Sequence, residues 1–237
     1  MITKLIHPGL FKRISPSTRD HLIHCLWDGF STASYSQEGE DTLLNRMFDS
    51  KKGGFFVDVG AHHPKRFSNT FLFYRRGWRG INIDAMPGSM RPFEAERPGD
   101  TNIECGVGTA AAEITFYTFR DGALNTFDAD IARIREAEGA GPAVAVVVPV
   151  RRLESILGEH LQAGTKIDFM SVDAEGFDYD ILESNDWEKF RPSIVLVEIF
   201  QCSMEETMHH RTTGFLAAQG YGLVAKTVNT AFYRTMK

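Results

Sequence analysis

Five short apolar runs constrain the fold of this chain more than any other feature of its sequence. Most are rich in Val, Ile or Phe, and none alternates strictly between polar and apolar residues, which is typical of strands buried on both faces of a sheet. They are GFFVDV (54–59), GINID (80–84), TNIEC (101–105), IDFMSVD (167–173) and SIVLVEI (193–199). Segments with helical spacing separate most of these runs, and strands that alternate with helices form a doubly wound sheet. The sequence therefore predicts an α/β fold with a mostly parallel sheet.

Helix start and stop signals lie between the predicted strands. We predict helices within 36–48, 68–76, 86–96 and 203–220. The last of these opens with Ser203 and Glu206 at the spacing of a capping box and stops at Gly220. The tail, from 221 to 237, holds two strand-like runs around Asn229. We expect these runs to form an antiparallel hairpin at the end of the sheet.

The predicted elements divide the chain into an arm and one main domain. Residues 1–34 mix apolar and basic positions around two prolines and are predicted to form an N-terminal helical arm, while 35–237 form the main domain. Within that domain, 106–150 is predicted to be an insertion rich in Gly and Ala, with extra strands at 112–119 and 143–150. A length of 237 residues with 43% hydrophobic residues suits a single core and is short for two enzymatic domains.

Charge and cysteine usage narrow the partners and the compartment. The net charge is −5, and acids and bases are interspersed, so no basic face is available to bind a nucleic-acid backbone. No apolar run has the length of a membrane span or a signal peptide. The three cysteines, Cys25, Cys105 and Cys202, lack metal-binding or paired spacing, which favours reduced thiols in a cytoplasmic protein. We expect a soluble enzyme, with a homodimer as the base-rate guess.

Acidic residues follow several of the predicted strands at the point where each strand ends. They are Asp58, Asp84, Glu104, Asp173 and Glu198. Ligands of open α/β sheets bind at the carboxyl ends of the strands. There, Gly60 would let the backbone approach a ligand closely, and Asp84 is placed to accept both hydroxyls of a ribose. The ligand is therefore predicted to contain an adenosine-like ribose.

The loop after the first strand favours one class of cofactor over another. It contains Gly60, Ala61, His62, His63 and Pro64, whereas a dinucleotide pyrophosphate requires the glycine-rich pattern GxGxxG. S-adenosylmethionine has no phosphate, and its amino-acid end could be matched by the Asp58 side chain, nearby carbonyls and loop amides. We therefore favour a methyltransferase. An NAD(P)-dependent oxidoreductase and a non-catalytic protein that binds the cofactor to stabilise a partner remain as alternatives.

Four segments together resemble the FkbM-type methyltransferases. They are YSQEGEDTLL, the stretch from FFVDVGAHHP to INIDAMPGS, IDFMSVDAEGFDYDIL and RPSIVLVEI, which together span about residues 35–200. The resemblance implies the Rossmann-like class I methyltransferase fold, S-adenosylmethionine as cofactor, and O-methylation of hydroxyls on sugars, glycans or glycosylated natural products. The sequence departs from many members at His62, His63 and Pro64, where Asn-Ile-Gly is common.

The resemblance also implies roles for individual residues. Asp58 and Gly60 would form the first cofactor motif, Asp84 would hold the ribose, and 104–107 would border the adenine, while the SVDAEG segment (171–176) would lie beside the transferred methyl group. The expected cofactor-binding residues are Gln37, Asp58, Gly60, Ala61, Asn69, Asp84, Ala85, Glu104, Cys105, Gly106 and Asp173.

Three side chains are candidates for the base that takes the proton of the acceptor hydroxyl. Asp173 and Glu175 would lie on one face if the strand continues, and His63 titrates near neutrality. Each also has a structural alternative, because acids cap helices and histidines bond to backbone. We expect no metal, with Mg²⁺ held by Asp173, Glu175 and Glu198 as the alternative. We assign no role to His209 and His210, which are predicted to be solvated on a helix.

Overall fold

The computed structural model describes residues 32–174 and 176–236, together with Ser15 and Thr18. The predicted N-terminal arm therefore lies almost entirely outside the described residues. From Ser34 onward the chain forms one unit. The strands of this unit, in chain order, are β1 (Phe55–Val59), β2 (Arg79–Asp84), β3 (Thr101–Glu104), β4 (Gly106–Val107), β5 (Ala112–Thr118), β6 (Val144–Arg151), β7 (Phe169–Val172), β8 (Ile194–Glu198), β9 (Tyr221–Lys226) and β10 (Thr230–Thr235).

Seven of these strands form the central sheet, in the order β3-β2-β1-β7-β8-β10-β9. The first five in this order are mutually parallel, and β10 runs antiparallel to both of its neighbours. The strand order reverses beside β1, because β2 lies on one side of it and β7 on the other. This arrangement confirms the predicted Rossmann-like fold, with its mostly parallel sheet and C-terminal antiparallel hairpin.

Eight α-helices lie within the described ranges, most of them between strands. They are α1 (Glu40–Met47), α2 (Phe71–Arg75), α3 (Met90–Glu96), α4 (Ala129–Ala137), α5 (Leu153–His160), α6 (Asp178–Glu183), α7 (Met204–His209) and α8 (Arg211–Ala218). Within the described part of the chain, no helix is long and apolar enough to cross a membrane.

The two faces of the central sheet carry different cores. Phe56 and Phe169 are register partners on β1 and β7, and with Phe73 and Trp78 they form an aromatic cluster under α1 and α2. The other face is mainly aliphatic, and residues such as Val57 pack there against α5, α6 and α8. Alternate strand residues supply the two cores, as expected for strands buried on both sides.

A second, three-stranded sheet occupies the segment after β3, in the order β4-β6-β5. β5 and β6 pair antiparallel along their whole lengths, and β4 pairs parallel with the end of β6. Between β5 and β6 lie a single 3-10 turn (Gly122–Leu124) and α4, whose first turn is capped by the Asp128 carboxylate. This segment thus has its own hydrogen-bonded sheet.

The segment predicted as one helix at 203–220 contains two helices. Ser203 and Glu206 form the predicted capping box at the start of α7. His210 then adopts an extended backbone (ψ 145°), and its Nδ1 accepts a hydrogen bond from the Thr212 amide at 3.3 Å. The prediction of a helical His210 was therefore wrong, because the residue ends α7 and caps α8.

Candidate functional site

The loop after β1 packs directly on the end of β7. Gly60 has a positive φ of 80°, and the amides of Gly60 and Ala61 both donate to the Ile83 carbonyl, at 2.9 and 3.0 Å. A Cβ built on Gly60 would lie 1.7 Å from the Asp173 carbonyl oxygen. The Asp173 amide in turn donates to the Val59 carbonyl at 3.0 Å. These contacts bring the ends of β1, β2 and β7 together at the reversal point of the sheet, where ligands of this fold class bind.

Asp84, at the end of β2, is half-buried and accepts hydrogen bonds from two loops. Its carboxylate receives the His62 amide at 2.9 Å and the Met86 amide at 2.8 Å. Burial raises the pKa of Asp84, and these two amides oppose the shift. A carboxylate oxygen can accept more than one hydrogen bond, so the group retains capacity for ligand hydroxyls.

Glu104 is the register partner of Asp84 on β3, so the two acids end adjacent strands. Its side chain is exposed and accepts a bond from the Gly88 amide at 2.7 Å. The loop from Ala85 to Gly88 is thus hydrogen-bonded to both carboxylates, Asp84 and Glu104, and each of these can also face a ligand.

Cys105 and Gly106 lie deeper than Glu104. Both are buried, and a Cβ on Gly106 would lie 2.9 Å from the Phe127 ring. Burial raises the pKa of the Cys105 thiol to about 11, so it stays protonated at neutral pH. The Cys105 side chain therefore faces the protein interior, and Gly106 offers only its backbone.

A cleft that is partly open to solvent lies beside the carboxyl ends of β7 and β8. It brings together three predicted cofactor residues, Gln37, Asn69 and Asp173, with Glu198. Its lining is rich in carboxylates and contains no Lys or Arg among the described residues. The complete lining is Gln37, Glu38, Glu40, Phe67, Asn69, Asp173, Glu198, Asn229 and Thr230.

Two glutamates attach the segment before α1 to the turn of the β9–β10 hairpin. The Glu38 carboxylate accepts from both the backbone amide and the side-chain amide of Asn229, each at 2.8 Å. Glu40 is buried and accepts from the Thr230 hydroxyl at 3.2 Å. This stretch was predicted as the start of a helix, and the cleft residues Glu40, Asn229 and Thr230 were not predicted as site residues. The bonded partners lie 191 and 190 positions apart in the chain, so no local pattern indicates them.

Asp58 lies on β1 behind the cleft and is almost completely buried. Its Oδ2 accepts a hydrogen bond from the Thr70 hydroxyl at 2.6 Å. Burial raises the pKa of Asp58 to about 6, although the Thr70 bond and the nearby Arg97 charge lower it. The register partner of Asp58 on β7 is Ser171, whose hydroxyl accepts from the Asn69 side chain at 3.0 Å. Asn69 therefore connects the cleft to the strand positions around Asp58.

His63 serves as a backbone cap in this structure. Its Nδ1 accepts from the amides of Lys65 and Arg66, both at 3.0 Å. Burial and the charge of neighbouring His62, Arg66 and Lys65 lower the pKa of His63, which favours the neutral ring. With Nδ1 occupied as an acceptor, the proton of the neutral ring resides on Nε2. This geometry matches the structural alternative for His63.

The structure describes one of the two remaining candidate bases, Asp173. The Asp173 side chain is exposed and lines the cleft, as does the half-buried Glu198. Glu175 lies outside the described residues. Within the described ranges, no group of three or more His, Cys, Asp or Glu side chains is arranged to hold a metal ion.

The family model described as the methyltransferase FkbM domain matches residues 58–223. This range covers most of the chain and includes the end of β1 and all of β2, β7 and β8. No curated protein matches the sequence.

Several solved structures resemble the fold at low identity. An O-methyltransferase from Bacillus cereus in complex with SAH is 13% identical, covers 100% of this chain and 95% of its own, and gives a TM-score of 0.43. The 1,6-didemethyltoxoflavin-N1-methyltransferase of Burkholderia thailandensis is 10% identical over 98% of this chain and 92% of its own, with a TM-score of 0.44. A TehB-like SAM-dependent methyltransferase from Corynebacterium glutamicum is 10% identical over 94% of this chain and 100% of its own, with a TM-score of 0.43.

Proposed function

The chain belongs to the FkbM methyltransferase family, and from this we propose that it transfers a methyl group from S-adenosylmethionine to a hydroxyl oxygen of a sugar, a glycan or a glycosylated natural product. The family match over 58–223 is the observation that supports methyl transfer and S-adenosylmethionine as the cofactor. The hydroxyl acceptor is our further step, and it is supported by a cleft whose polar lining can hydrogen-bond to a sugar.

The site fits this cofactor on two physical grounds. Asp84 and Glu104 end neighbouring strands and can accept ribose hydroxyls, while the first loop has a single glycine and lacks the pattern that holds a pyrophosphate. The cleft beside it is lined by Glu38, Asp173 and Glu198 and by no Lys or Arg among the described residues. Carboxylates attract a cationic ligand, and this cofactor carries a positive sulfonium and an ammonium group.

We assign the adenosine to the β2–β3 side and the amino-acid end to the β1–β7 side. Asp84, Ala85 and Glu104 would border the ribose and base, with Cys105 and Gly106 contributing backbone only. The loop backbone at Gly60 and Ala61, whose amides already bond to Ile83, would pack against the amino-acid end. The Gln37 and Asn69 side chains would border it, and Asp58 would accept from its ammonium.

When bound, S-adenosylmethionine supplies a methyl group that is already activated for displacement. The protein must therefore align the acceptor oxygen and remove its proton. We propose Asp173 as the group that accepts this proton, since it lines the cleft and its backbone touches the cofactor loop at Gly60. Glu175 remains a second candidate from the family signature. His63 is the weakest of the three, because its Nδ1 already accepts two amides.

Calorimetric titration with S-adenosylhomocysteine, with NADH in parallel, tests the proposal. We expect micromolar binding of the former and none of the latter. Asp84→Ala should raise the dissociation constant by one to two decades, since losing the hydrogen bonds that two hydroxyls donate to a carboxylate removes about 1.5 to 3 kcal/mol. Glu94→Ala is the matched control, because Glu94 is an exposed acid on α3. Binding of NADH in place of S-adenosylhomocysteine would make the oxidoreductase alternative correct.

A further inference from the structure

A buried hydrogen-bonded chain supports Asp58 from behind. Arg97, which directly follows α3, is fully buried and donates from Nη1 to the Thr70 hydroxyl oxygen at 3.0 Å. Thr70, also fully buried, donates its own proton to Asp58 Oδ2 at 2.6 Å. Because the Thr70 hydroxyl has a single proton, accepting from Arg97 directs that proton toward Asp58. The arginine thus fixes the orientation of the hydroxyl that holds the carboxylate.

Arg97 itself is held rigidly. Its Nε donates to Asp100 Oδ2 at 2.9 Å, and neither side chain is exposed. Its guanidinium lies 5.2 to 5.3 Å from the ring centres of Phe56, Tyr74 and Phe93, within range of cation–π attraction. The planar group is therefore held by one acid, one hydroxyl and three aromatic rings.

The partner acid is also anchored to the central sheet. Asp100 accepts from the Gly80 amide at 3.0 Å and from the Asn82 side chain at 3.1 Å. Asn82 is the register partner of Asp58 on β2. The chain of hydrogen bonds thus starts at Asp58 on β1 and ends at its neighbour Asn82 on β2. Thr70 is the first link after Asp58.

The charges in this buried region do not balance. Arg97 contributes one positive charge, whereas Asp58 and Asp100 contribute two negative charges when both are ionised. Because Asp100 pairs with Arg97, the positive charge of Arg97 only partly neutralises an ionised Asp58. Of the described residues, none donates a hydrogen bond to Asp58 Oδ1, and this oxygen is not among the fully buried polar atoms. The second oxygen is thus available for a cationic ligand.

We propose that Thr70 and Arg97 are positioning residues for the cofactor, which hold Asp58 Oδ2 so that Oδ1 faces the ammonium group of S-adenosylmethionine. The inference rests on the proposed function, because it needs that ligand at the β1–β7 side. Asn69, adjacent to Thr70 in the chain, lines the cleft, so the same short segment reaches both the ligand space and Asp58.

The proposal predicts how cofactor affinity depends on pH. The ligand ammonium is attracted by the ionised carboxylate, so affinity should fall as Asp58 becomes protonated when the pH drops through about 6. The charged groups that face Asp58 are Arg97, which lowers its pKa, and Asp100 and Asp84, which raise it. Removing the Thr70 hydroxyl deletes a bond that lowers this pKa, so the midpoint should move upward.

The test is calorimetric titration of the full chain with S-adenosylhomocysteine between pH 5 and 7.5. We expect wild type to lose affinity with a midpoint near pH 6. Thr70→Val should raise that midpoint by about one pH unit, so that its dissociation constant is several-fold higher at pH 6 and the gap narrows toward pH 7.5. Thr70→Ser keeps the hydroxyl and should retain the wild-type midpoint.

Asp58→Asn provides a second measurement in case Thr70→Val does not fold. It should bind weakly with no midpoint in this range, and a wild-type midpoint in this variant would overturn the inference. So would an unchanged midpoint in folded Thr70→Val, since a role confined to packing changes stability and not the pH profile. Absence of binding by the wild-type protein at every pH would overturn the proposed function and this inference with it.

Discussion

Replacing Gly60 by alanine tests the close approach on which the site depends. The new Cβ would lie 1.7 Å from the Asp173 carbonyl oxygen, so the loop after β1 and the end of β7 must separate by roughly 1.7 Å to restore ordinary contact at 3.4 Å. That separation breaks the bond from the Asp173 amide to Val59. A left-handed backbone destabilises a non-glycine residue by about 1 to 2 kcal/mol, and overpacking adds about 1 to 3. We expect Gly60→Ala to lower the free energy of unfolding by about 2 to 5 kcal/mol.

Urea unfolding of Gly60→Ala and Gly139→Ala separates these two effects. Gly139 also has a positive φ, 91°, but a Cβ there meets no heavy atom within 4 Å, so its variant should lose only about 1 to 2 kcal/mol. Any folded Gly60→Ala should also bind S-adenosylhomocysteine at least tenfold more weakly than Gly139→Ala, because the loop that packs against the ligand is displaced. Equal losses of stability in the two variants, with equal affinity, would refute the close-approach argument.

Two further predictions concern carboxylates of the site. Asp58 has a pKa of about 6 in the folded chain against 3.8 for an unperturbed group. Between about pH 4 and 6 the folded state therefore keeps a proton on Asp58 that the unfolded state has already lost. As a result, this group lowers the free energy of unfolding as the pH rises through that range. Asp58→Asn should therefore increase the free energy of unfolding at pH 8 by on the order of 1 to 3 kcal/mol, with a smaller increase at pH 5. Urea titration without ligand measures both values. A lower free energy of unfolding at pH 8 would contradict this. Asp173→Asn should lower methyl transfer to a sugar acceptor by about 10² to 10⁴-fold while the affinity for S-adenosylhomocysteine changes far less. If its turnover equals that of wild type, Asp173 is not the base, and Glu175→Gln becomes the variant to assay.

The strands were predictable because each is buried and locally encoded. The five apolar runs correspond to β1, β2, β3, β7 and β8, and the tail forms the expected hairpin. Hydrophobicity of this kind depends on residue type and needs no knowledge of distant partners. The division of the 203–220 helix at His210 was not predictable. The His210 ring accepts a hydrogen bond from a backbone amide and so caps a new helix, and hydrophobic periodicity does not reveal such a cap.

Individual site residues show the same limit. Gly60, Asp84 and Asp173 follow strands, and strand ends in this fold class meet at one edge, so their proximity followed from topology. Glu40 looked like an acid at a helix start, yet it is buried against Thr230. Arg97 was assigned no role from the sequence, yet it is fully buried and donates to the Thr70 hydroxyl behind Asp58. Burial of a charged residue depends on partners brought together by folding, which sequence spacing does not supply.

The sequence by itself determined the class of fold, the order in which acids and glycines reach the ligand edge, and the family to which the chain belongs. These follow from local hydrophobic patterns and from a motif whose residues are neighbours in the chain. Only the tertiary structure decided which oxygen of Asp58 is occupied and which side chains line the cleft. The physical reason is that hydrogen-bond partners and desolvation depend on atoms far apart in sequence, and these alone set the charge and orientation of a side chain.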